Sequence, residues 1–156
     1  MYYDIFSSMF GDMLVAGEGE SLGVLDFQQG NRPHAIRPGW RRDKVLFRSA
    51  REQVLAYLHG DLREFSVPVA PRGTDFQQQV WQALQAIPYG ATASYRDIAS
   101  RIGRPQAVRA VGAANGANPV ALIIPCHRVI GSNGSLTGYA GGIDVKRRLL
   151  AMEQGA

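Results

Sequence analysis

The chain holds one cysteine, Cys126, and it stands in the run Pro125-Cys126-His127-Arg128. A cysteine attacks as its thiolate, and at an ordinary pKa of about 8.5 only a few per cent of the thiol is ionised at neutral pH. A neighbouring imidazole, in direct contact or through one water, can take the proton. A carboxylate on the far ring nitrogen would then hold the imidazole in the required tautomer. The same two residues also fit an inert buried cysteine beside a structural histidine, and the pair alone does not decide between them. The loop that follows favours a site: Gly131, Gly134, Gly138, Gly141 and Gly142 surround a single aromatic, Tyr139. Such glycine density is poor for stability but suits backbone that wraps a flat ligand. One cysteine makes neither an internal disulfide nor a cysteine-based zinc site. His34 and His59 have no third partner at ligand spacing, so they read as loop or surface groups, and no metal is expected.

A second cluster is cationic. Arg96, Arg101, Arg104 and Arg109 fall in one short region whose only acid is Asp97. Concentrated positive charge suits phosphate contacts, whose strength falls steeply with added salt. Around Arg109, the residues Ala107, Ala110, Gly112, Ala113 and Gly116 leave a helix flank nearly bare. Its backbone can approach another surface closely while one long cation projects from it. Small residues equally permit tight helix packing inside a protein, so the flank alone is ambiguous.

The elements that must position these groups are legible in part. Ser94 and Asp97 form a capping-box signature that opens a short helix through Tyr95, Ile98 and Ala99. Gly103 turns the chain, and Pro105 sits where a first helical residue is favoured, opening a second short helix through Val108, Val111 and Ala114. Two short helices joined by a tight turn with glycine make a helix-turn-helix pattern, which an ordinary helical hairpin also satisfies. Upstream, Thr74 and Gln77 cap a helix with the apolar stripe Phe76, Val80, Trp81, Leu84 and Ile87, and Trp81 is expected in the core beneath the helix pair. The run Val120–Ile124 reads as a buried strand ending at the cysteine.

The first part has a different texture. Met13–Ala16 and Leu22–Phe27 read as a hairpin about Gly17–Glu20, Gln28–Trp40 as loop, and Lys44–His59 as a helix whose stripe is Phe47, Ala50, Val54 and Leu58. Gly60 supplies its stop, and Phe65, Val67 and Val69 alternate like one more strand. Ala70–Gly73 is the candidate linker. The expectation is an α+β (mixed α/β) chain: a small sheet plus helix in residues 1–70, then a mainly helical part, residues 71–156, with the helix pair and an active-site loop.

Composition sets the outer limits. With 156 residues, 46% hydrophobic and 19% charged, the chain can bury a core, and wholesale disorder is excluded. The net charge of +4 permits a polyanion partner without proving one. The longest apolar run, Val120–Ile124, is far too short to cross a bilayer, and Met1-Tyr2-Tyr3-Asp4 lacks the basic and apolar regions of a signal peptide. A cytoplasmic, reducing setting with no membrane partner is expected. Lys146-Arg147-Arg148 reads as a solvated helix face.

Ile124-Pro125-Cys126-His127-Arg128-Val129 resembles the active-site signature of the O6-alkylguanine-DNA alkyltransferases, or methylated-DNA–protein-cysteine methyltransferases. The likeness continues through Gly73–Phe76, Ile87–Gly90, Ser94-Tyr95, Arg109–Gly112, Asn118-Pro119 and Leu136–Tyr139; the amino-terminal part is similar in texture only. The resemblance implies repair of O6-alkylguanine (and O4-alkylthymine as a second substrate) in double-stranded DNA, once per molecule, with no cofactor. It implies that Cys126 accepts the alkyl group, its sulfur held ionised beside a slot for an everted purine. His127 would act through water as base, Glu153 would orient His127, Asn118 would hold the turn, and Tyr95 would donate to the leaving guanine. Tyr139 and Pro125 would wall the pocket, the carbonyls of Cys126 and Val129 would read the exocyclic amine, and the amide of Ala140 would face O6. Arg109 would fill the space of an everted nucleotide, with Ala107, Ala110 and Gly112 in the minor groove and Arg96, Arg101 and Arg104 near phosphates. A second copy alongside on the DNA is a further partner compatible with it. The rivals are a catalytically silent sensor of alkylated DNA, a cysteine hydrolase, and a transcriptional regulator.

Overall fold

The alternation of Tyr2–Phe6 and the apolar run Met13–Ala16 build the first layer of the protein, seen in a computed structural model that describes residues 1–30 and 33–155. Strands β1 (Tyr2–Ser8) and β2 (Gly11–Gly17) pair antiparallel, β3 (Val24–Phe27) pairs antiparallel with β2, and β4 (Arg41–Arg42) joins β1 in parallel. The sheet order is β3-β2-β1-β4. Met13, Val15, Leu25 and Phe27 enter the main core, while Leu14, Ala16 and Val24 pack on the other face under Met1, Tyr3, Ile5 and Trp40. The β2–β3 pairing is the hairpin expected from sequence. β1 is not among the expected strands, because its buried face carries a charge: Asp4 is 1% exposed and is matched by Arg42 Nε at 3.0 Å and Arg51 Nη1 at 2.9 Å. Those ion pairs also fasten the two-residue β4, which directly follows the stretch read as loop. Asn31 and Arg32, within that stretch, lie outside the described residues.

Helix α1 (Arg48–Leu58) follows, shorter than expected because Lys44–Phe47 form turns; Ala50, Val54, Tyr57 and Leu58 are buried. The strand expected at Phe65–Val69 is not one. Only Val69 bridges Leu22, with Leu22 N–H donating to Pro68 O at 2.9 Å and Ala70 N–H to Leu22 O at 2.7 Å. Pro68 has no N–H to continue a ladder, and Phe65 instead places its ring 5.1 Å from that of Tyr57.

Helices α2 (Asp75–Gln85), α3 (Tyr95–Arg101) and α4 (Val108–Gly116) form the next layer. Both expected capping boxes are present, Thr74 with Gln77 and Ser94 with Asp97. Trp81 is buried and its Nε1–H donates to Ala114 O of α4 at 2.8 Å, so it sits in the core beneath the helix pair as expected. α3 ends at Gly103 (φ +76°), where Gly103 N–H bonds Ser100 O at 3.0 Å and Arg104 N–H bonds Ala99 O at 2.9 Å. A left-handed residue here reverses the chain within one turn, which side chains resist and glycine permits. Pro105 does not open the next helix. It lies in a turn closed by Ala107 N–H to Arg104 O at 2.9 Å, and α4 starts only at Val108.

After α4 the chain crosses back to the sheet. The expected strand Val120–Ile124 is a turn instead: Val120 bridges Leu25, Ile124 N–H returns to Val120 O at 3.1 Å, and Leu122 takes φ +70°. Its apolar character reflects burial in the core rather than a ladder. A two-stranded parallel pair, β5 (Ala93–Ser94) with β6 (Val129–Ile130), and helix α5 (Ile143–Glu153) complete the mixed α/β architecture. No helix among the described residues is long and apolar enough to cross a membrane.

Candidate active site

Cys126 opens a single 3₁₀ turn, Cys126–Arg128, shortly after the left-handed Leu122 turn. That turn is stapled by Asn118, whose Nδ2 donates to Ile124 O at 2.7 Å while its Oδ1 accepts from Val120 N–H at 3.0 Å. A leucine at positive φ is strained by roughly 1–2 kcal/mol, and the two Asn118 bonds hold it there. The cysteine is almost covered, at 7% exposure. Burial pushes the Cys126 thiol up, against a side-chain hydrogen bond from Asn118 and the positive charge of Lys146, which favour the anion. Burial thus works against the ionised sulfur that the family likeness implies, while Asn118 and Lys146 work for it.

Behind the cysteine is a buried cluster of ionisable groups. Glu153, at the end of α5, accepts His127 Nε2–H at 2.8 Å and Arg128 Nη2 at 3.0 Å on Oε2, and Arg128 Nε at 2.8 Å on Oε1. Arg128 Nη1 reaches Ile87 O at 2.7 Å. Tyr57 of α1 donates its hydroxyl to the same Oε2 and lies 3.2 Å from His127 Nε2. Burial alone would raise the Glu153 carboxyl, but hydrogen bonds from His127, Arg128 and Tyr57 outweigh it and hold the group down to about 2. Burial pushes the His127 imidazole below its ordinary range despite the pull of Glu153, with Arg128 and Lys146 adding to the fall. The imidazole is thus neutral at pH 7. With a carboxylate on Nε2 its proton belongs there, leaving Nδ1 as a bare base, and Nδ1 has no hydrogen-bond partner among the described residues. His127 and Glu153 are brought together as expected, with the base nitrogen unbonded rather than joined directly to the sulfur.

Lys146 corrects the reading of a solvated Lys-Arg-Arg face. It is fully buried, and its Nζ donates to Val129 O at 2.7 Å and Thr137 O at 3.4 Å, tying the segment after Cys126 to the glycine loop. Arg147 is exposed and pairs with Asp144 at 2.9 Å, and Arg148 stacks 4.6 Å over Phe10. One buried lysine per helical turn leaves no trace in a run of three cations. Tyr57 is a further site residue that the sequence pattern does not single out, and Arg128 and Thr137, though inside the quoted motifs, have no role assigned to them there. Tyr57 follows Val54 by three residues, and that spacing is the available signal.

The sulfur faces a cavity of about 380 Å³ lined by Asp26, Tyr95, Asn115, Cys126, Tyr139 and Ala140 among others. Tyr139 is 7% exposed, its ring 5.9 Å from Phe27 and 6.4 Å from His127. Gly141 lets that ring settle: a Cβ there would sit 2.9 Å from Phe27 Cδ2 and 3.0 Å from Tyr139 Cε2. The Tyr95 hydroxyl is hydrogen-bonded to Thr137 Oγ1. Pro125 and Val129 are buried behind the cysteine and do not line the cavity, and the carbonyls of Cys126 and Val129 each already accept one bond, from Val129 N–H and Lys146 Nζ.

Beside the cavity mouth, α4 contributes Gly112 to the wall and carries Arg109 and Ala110 exposed, with Ala107 partly so. Its N-cap, Ala107, offers no side-chain hydrogen bond, so the first amides of α4 are open to an anion. Arg96 and Arg101 are exposed on α3, and Arg104 lies 5.9 Å over the Phe76 ring.

A nucleophilic thiol, a buried base and a neighbouring cationic helix pair define a covalent alkyl- or acyl-accepting protein with a polyanion-facing surface. Comparison with known proteins narrows this. Residues 75–155 match the family described as "6-O-methylguanine DNA methyltransferase, DNA binding domain", and residues 1–71 match its "ribonuclease-like domain". The methylated-DNA–protein-cysteine methyltransferase of Methanosarcina barkeri is 53% identical over 154 residues, covering 99% of this chain and 98% of that protein. That of Mycobacterium tuberculosis (strain H37Rv) is 50% identical over 155 residues, covering 99% and 93%. The crystal structure of Mycobacterium tuberculosis OGT in complex with DNA superposes with a TM-score of 0.93 at 49% identity, covering 99% of this chain and 94% of that one. The chain belongs to the methylated-DNA–protein-cysteine methyltransferase family.

Proposed function

We propose the following assignment of residues to the family's reaction, DNA repair by direct transfer of an alkyl group from the base to the protein. The Cys126 sulfur attacks the alkyl carbon on guanine O6 in line. The S–C bond forms as the C–O6 bond breaks, and the thiol proton passes through one water to His127 Nδ1. Glu153 and Arg128 hold the ring for that transfer, and Glu153 stabilises the imidazolium. The departing guanine takes negative charge, against which Tyr95, hydrogen-bonded to Thr137, presents its hydroxyl. The one proton the base finally gains from solvent is balanced by the one His127 gives back to solvent, so both side chains end as they began. Tyr139 stacks on the base, Ala140 presents its amide toward O6, and Asn118 keeps the sulfur aimed by fixing the Leu122 turn. The products are a thioether and unmodified guanine. A thioether has no ready path back to thiol, so each molecule acts once.

O6 of a paired guanine is inside the stack, where no sulfur can line up behind the carbon. The nucleotide must leave the duplex, which costs a few kcal/mol and least at a damaged pair. Arg109 offsets that loss by entering the vacated space. The bare flank of Ala107, Ala110 and Gly112 lies in the minor groove, and Arg96, Arg101 and Arg104 face phosphates. In this reading residues 71–156 grip DNA and carry the nucleophile, residues 1–70 back the site, and a reducing cytoplasm keeps the lone thiol intact.

The observation that carries the reading is the covered Cys126 sulfur on the wall of a cavity of about 380 Å³, with the neutral His127 imidazole and the Glu153 carboxylate behind it. The test is incubation of wild-type and Cys126→Ser protein with duplex DNA labelled on the methyl of O6-methylguanine. The wild type takes up label to one equivalent and stops, while the variant binds DNA and takes up none. DNA binding by the wild type with no label would instead establish a silent sensor, and repeated turnover would establish a hydrolase-like enzyme.

A further inference from the structure

We propose that Tyr57, delivered by α1, is a positioning residue for the transfer: by committing its one hydroxyl proton to Glu153 it forces the His127 proton onto Nε2 and leaves Nδ1 as the base. The inference deepens the assignment of Cys126 and His127 above and rests on it.

Tyr57 is fully buried, and its hydroxyl donates to Glu153 Oε2 while standing 3.2 Å from His127 Nε2. A phenol has a single proton. Once that proton is on the carboxylate, only lone pairs of the tyrosine oxygen and of Oε2 face Nε2. A bare Nε2 would then meet two acceptors and no donor, which a buried nitrogen does not tolerate. The opposite tautomer, with its proton on Nδ1 and no capacity to accept from the cysteine side, is excluded by the same two oxygens. Burial and the adjacent Glu153 carboxylate push the Tyr57 hydroxyl far above the ordinary tyrosine range, so it remains a donor throughout the working pH range. Packing does not account for the hydroxyl. The ring already has its neighbours, Phe65 at 5.1 Å and Tyr89 edge-on at 6.3 Å, and phenylalanine would keep both.

The hydroxyl also sets how strongly Glu153 can stabilise a charged imidazole. The groups facing His127 are Glu153 and Lys146 from α5, Arg128 and Cys126 from its own turn, Tyr57 from α1, and Tyr139 from the glycine loop. Of these, Tyr57 is the neutral donor on the carboxylate, and its bond holds the Glu153 carboxyl down. Without it the carboxylate is a stronger base, the imidazolium is more stable, and His127 stays protonated to higher pH. A protonated ring cannot accept the cysteine proton, so transfer is lost from the acid side.

The experiment is the pH profile of single-turnover methyl transfer from saturating damaged duplex, for wild type and for Tyr57→Phe. Removal of the hydroxyl moves the acid limb of the profile up by roughly one pH unit, with DNA affinity unchanged. A second variant carries 3-fluorotyrosine at position 57, which keeps the shape and the donor but strengthens it; its acid limb moves down, and it decides the matter if Tyr57→Phe does not fold. Acid limbs that coincide with the wild type in the variants that fold, while the wild type still labels Cys126, overturn the positioning role and leave Tyr57 as core packing. Absence of Cys126 labelling in the wild type overturns the transfer reading itself.

Discussion

Two arginines show how differently this molecule uses one kind of side chain. Arg128 is 7% exposed, forked onto both oxygens of Glu153 and onto Ile87 O, and stacked 5.7 Å from the Tyr89 ring. Arg109 is exposed on α4 and has no ion pair among the described residues. Water screens the second charge and not the first. The buried cluster of Tyr57, His127, Arg128 and Glu153 therefore answers to pH and is nearly blind to salt. The face made by Arg96, Arg101 and Arg109 answers to salt and is nearly blind to pH. In the proposed assignment burial keeps chemistry and grip apart, although Cys126 and Gly112 of α4 line one cavity.

The contrast can be broken hardest at Glu153. Glu153→Ala leaves Arg128 buried without its carboxylate and is expected to destabilise the protein by about 3–5 kcal/mol in denaturant unfolding. Arg109→Ala, at an exposed position, is expected to change stability by no more than about 0.5 kcal/mol. Equal losses in the two variants would erase the distinction.

Acid titration sharpens it next. The Glu153 carboxyl is held near 2 in the folded chain, against an ordinary value of 4.5. A depressed carboxyl contributes stability that is present above its unfolded pKa and disappears as pH falls toward the folded one, on the order of 3 kcal/mol between pH 4.5 and 2. His127, depressed below 6.5, adds a loss in the same direction starting below that pH, because the unfolded chain binds its proton first. Glu153→Gln is expected to flatten the steeper, lower part of the curve, read as thermal midpoint against pH. A midpoint that is flat from pH 6.5 to 3 in the wild type contradicts the buried cluster.

Smaller effects belong to the exposed face. Arg109→Ala is expected to slow repair of a duplex by about tenfold, equivalent to roughly 1.4 kcal/mol of the unstacking cost, and to leave reaction with the free alkylated base unchanged. Equal slowing on both substrates would place Arg109 in the chemistry. Arg96→Ala and Arg101→Ala are each expected to weaken DNA binding slightly and to make its dependence on log salt shallower by about 0.9 for each phosphate no longer neutralised. An unchanged salt slope would remove those residues from the interface.

How much of this is legible in sequence follows from the range of the interactions. The capping boxes at Thr74 and Ser94 are local codes, written within four residues, and both are present as read. Cys126 and His127 are adjacent in the chain, so both are visible as candidates, and Glu153, Asn118, Tyr95 and Tyr139 become visible through the family likeness. The failures are long-range. β1 hides behind Asp4, whose partners Arg42 and Arg51 are far along the chain, and the turn at Val120–Ile124 looks like a strand because burial alone makes it apolar. Tyr57 is separated from Glu153 by 96 positions, and nothing in the apolar stripe of α1 marks its hydroxyl as part of the site. Lys146 is hidden for the opposite reason, since a lysine that opens a run of three cations advertises solvent.

Everything depends on which atom ends up carrying the carbon. The direct measurement is peptide mapping by mass spectrometry after the protein is exposed to an excess of duplex containing O6-methylguanine. The expected result is one added methyl per chain, carried on the peptide that contains Cys126 and assigned to its sulfur, with the DNA recovered as unmodified guanine. A methyl on any other residue, a second equivalent at longer times, or repaired DNA beside an unmodified Cys126 would contradict it.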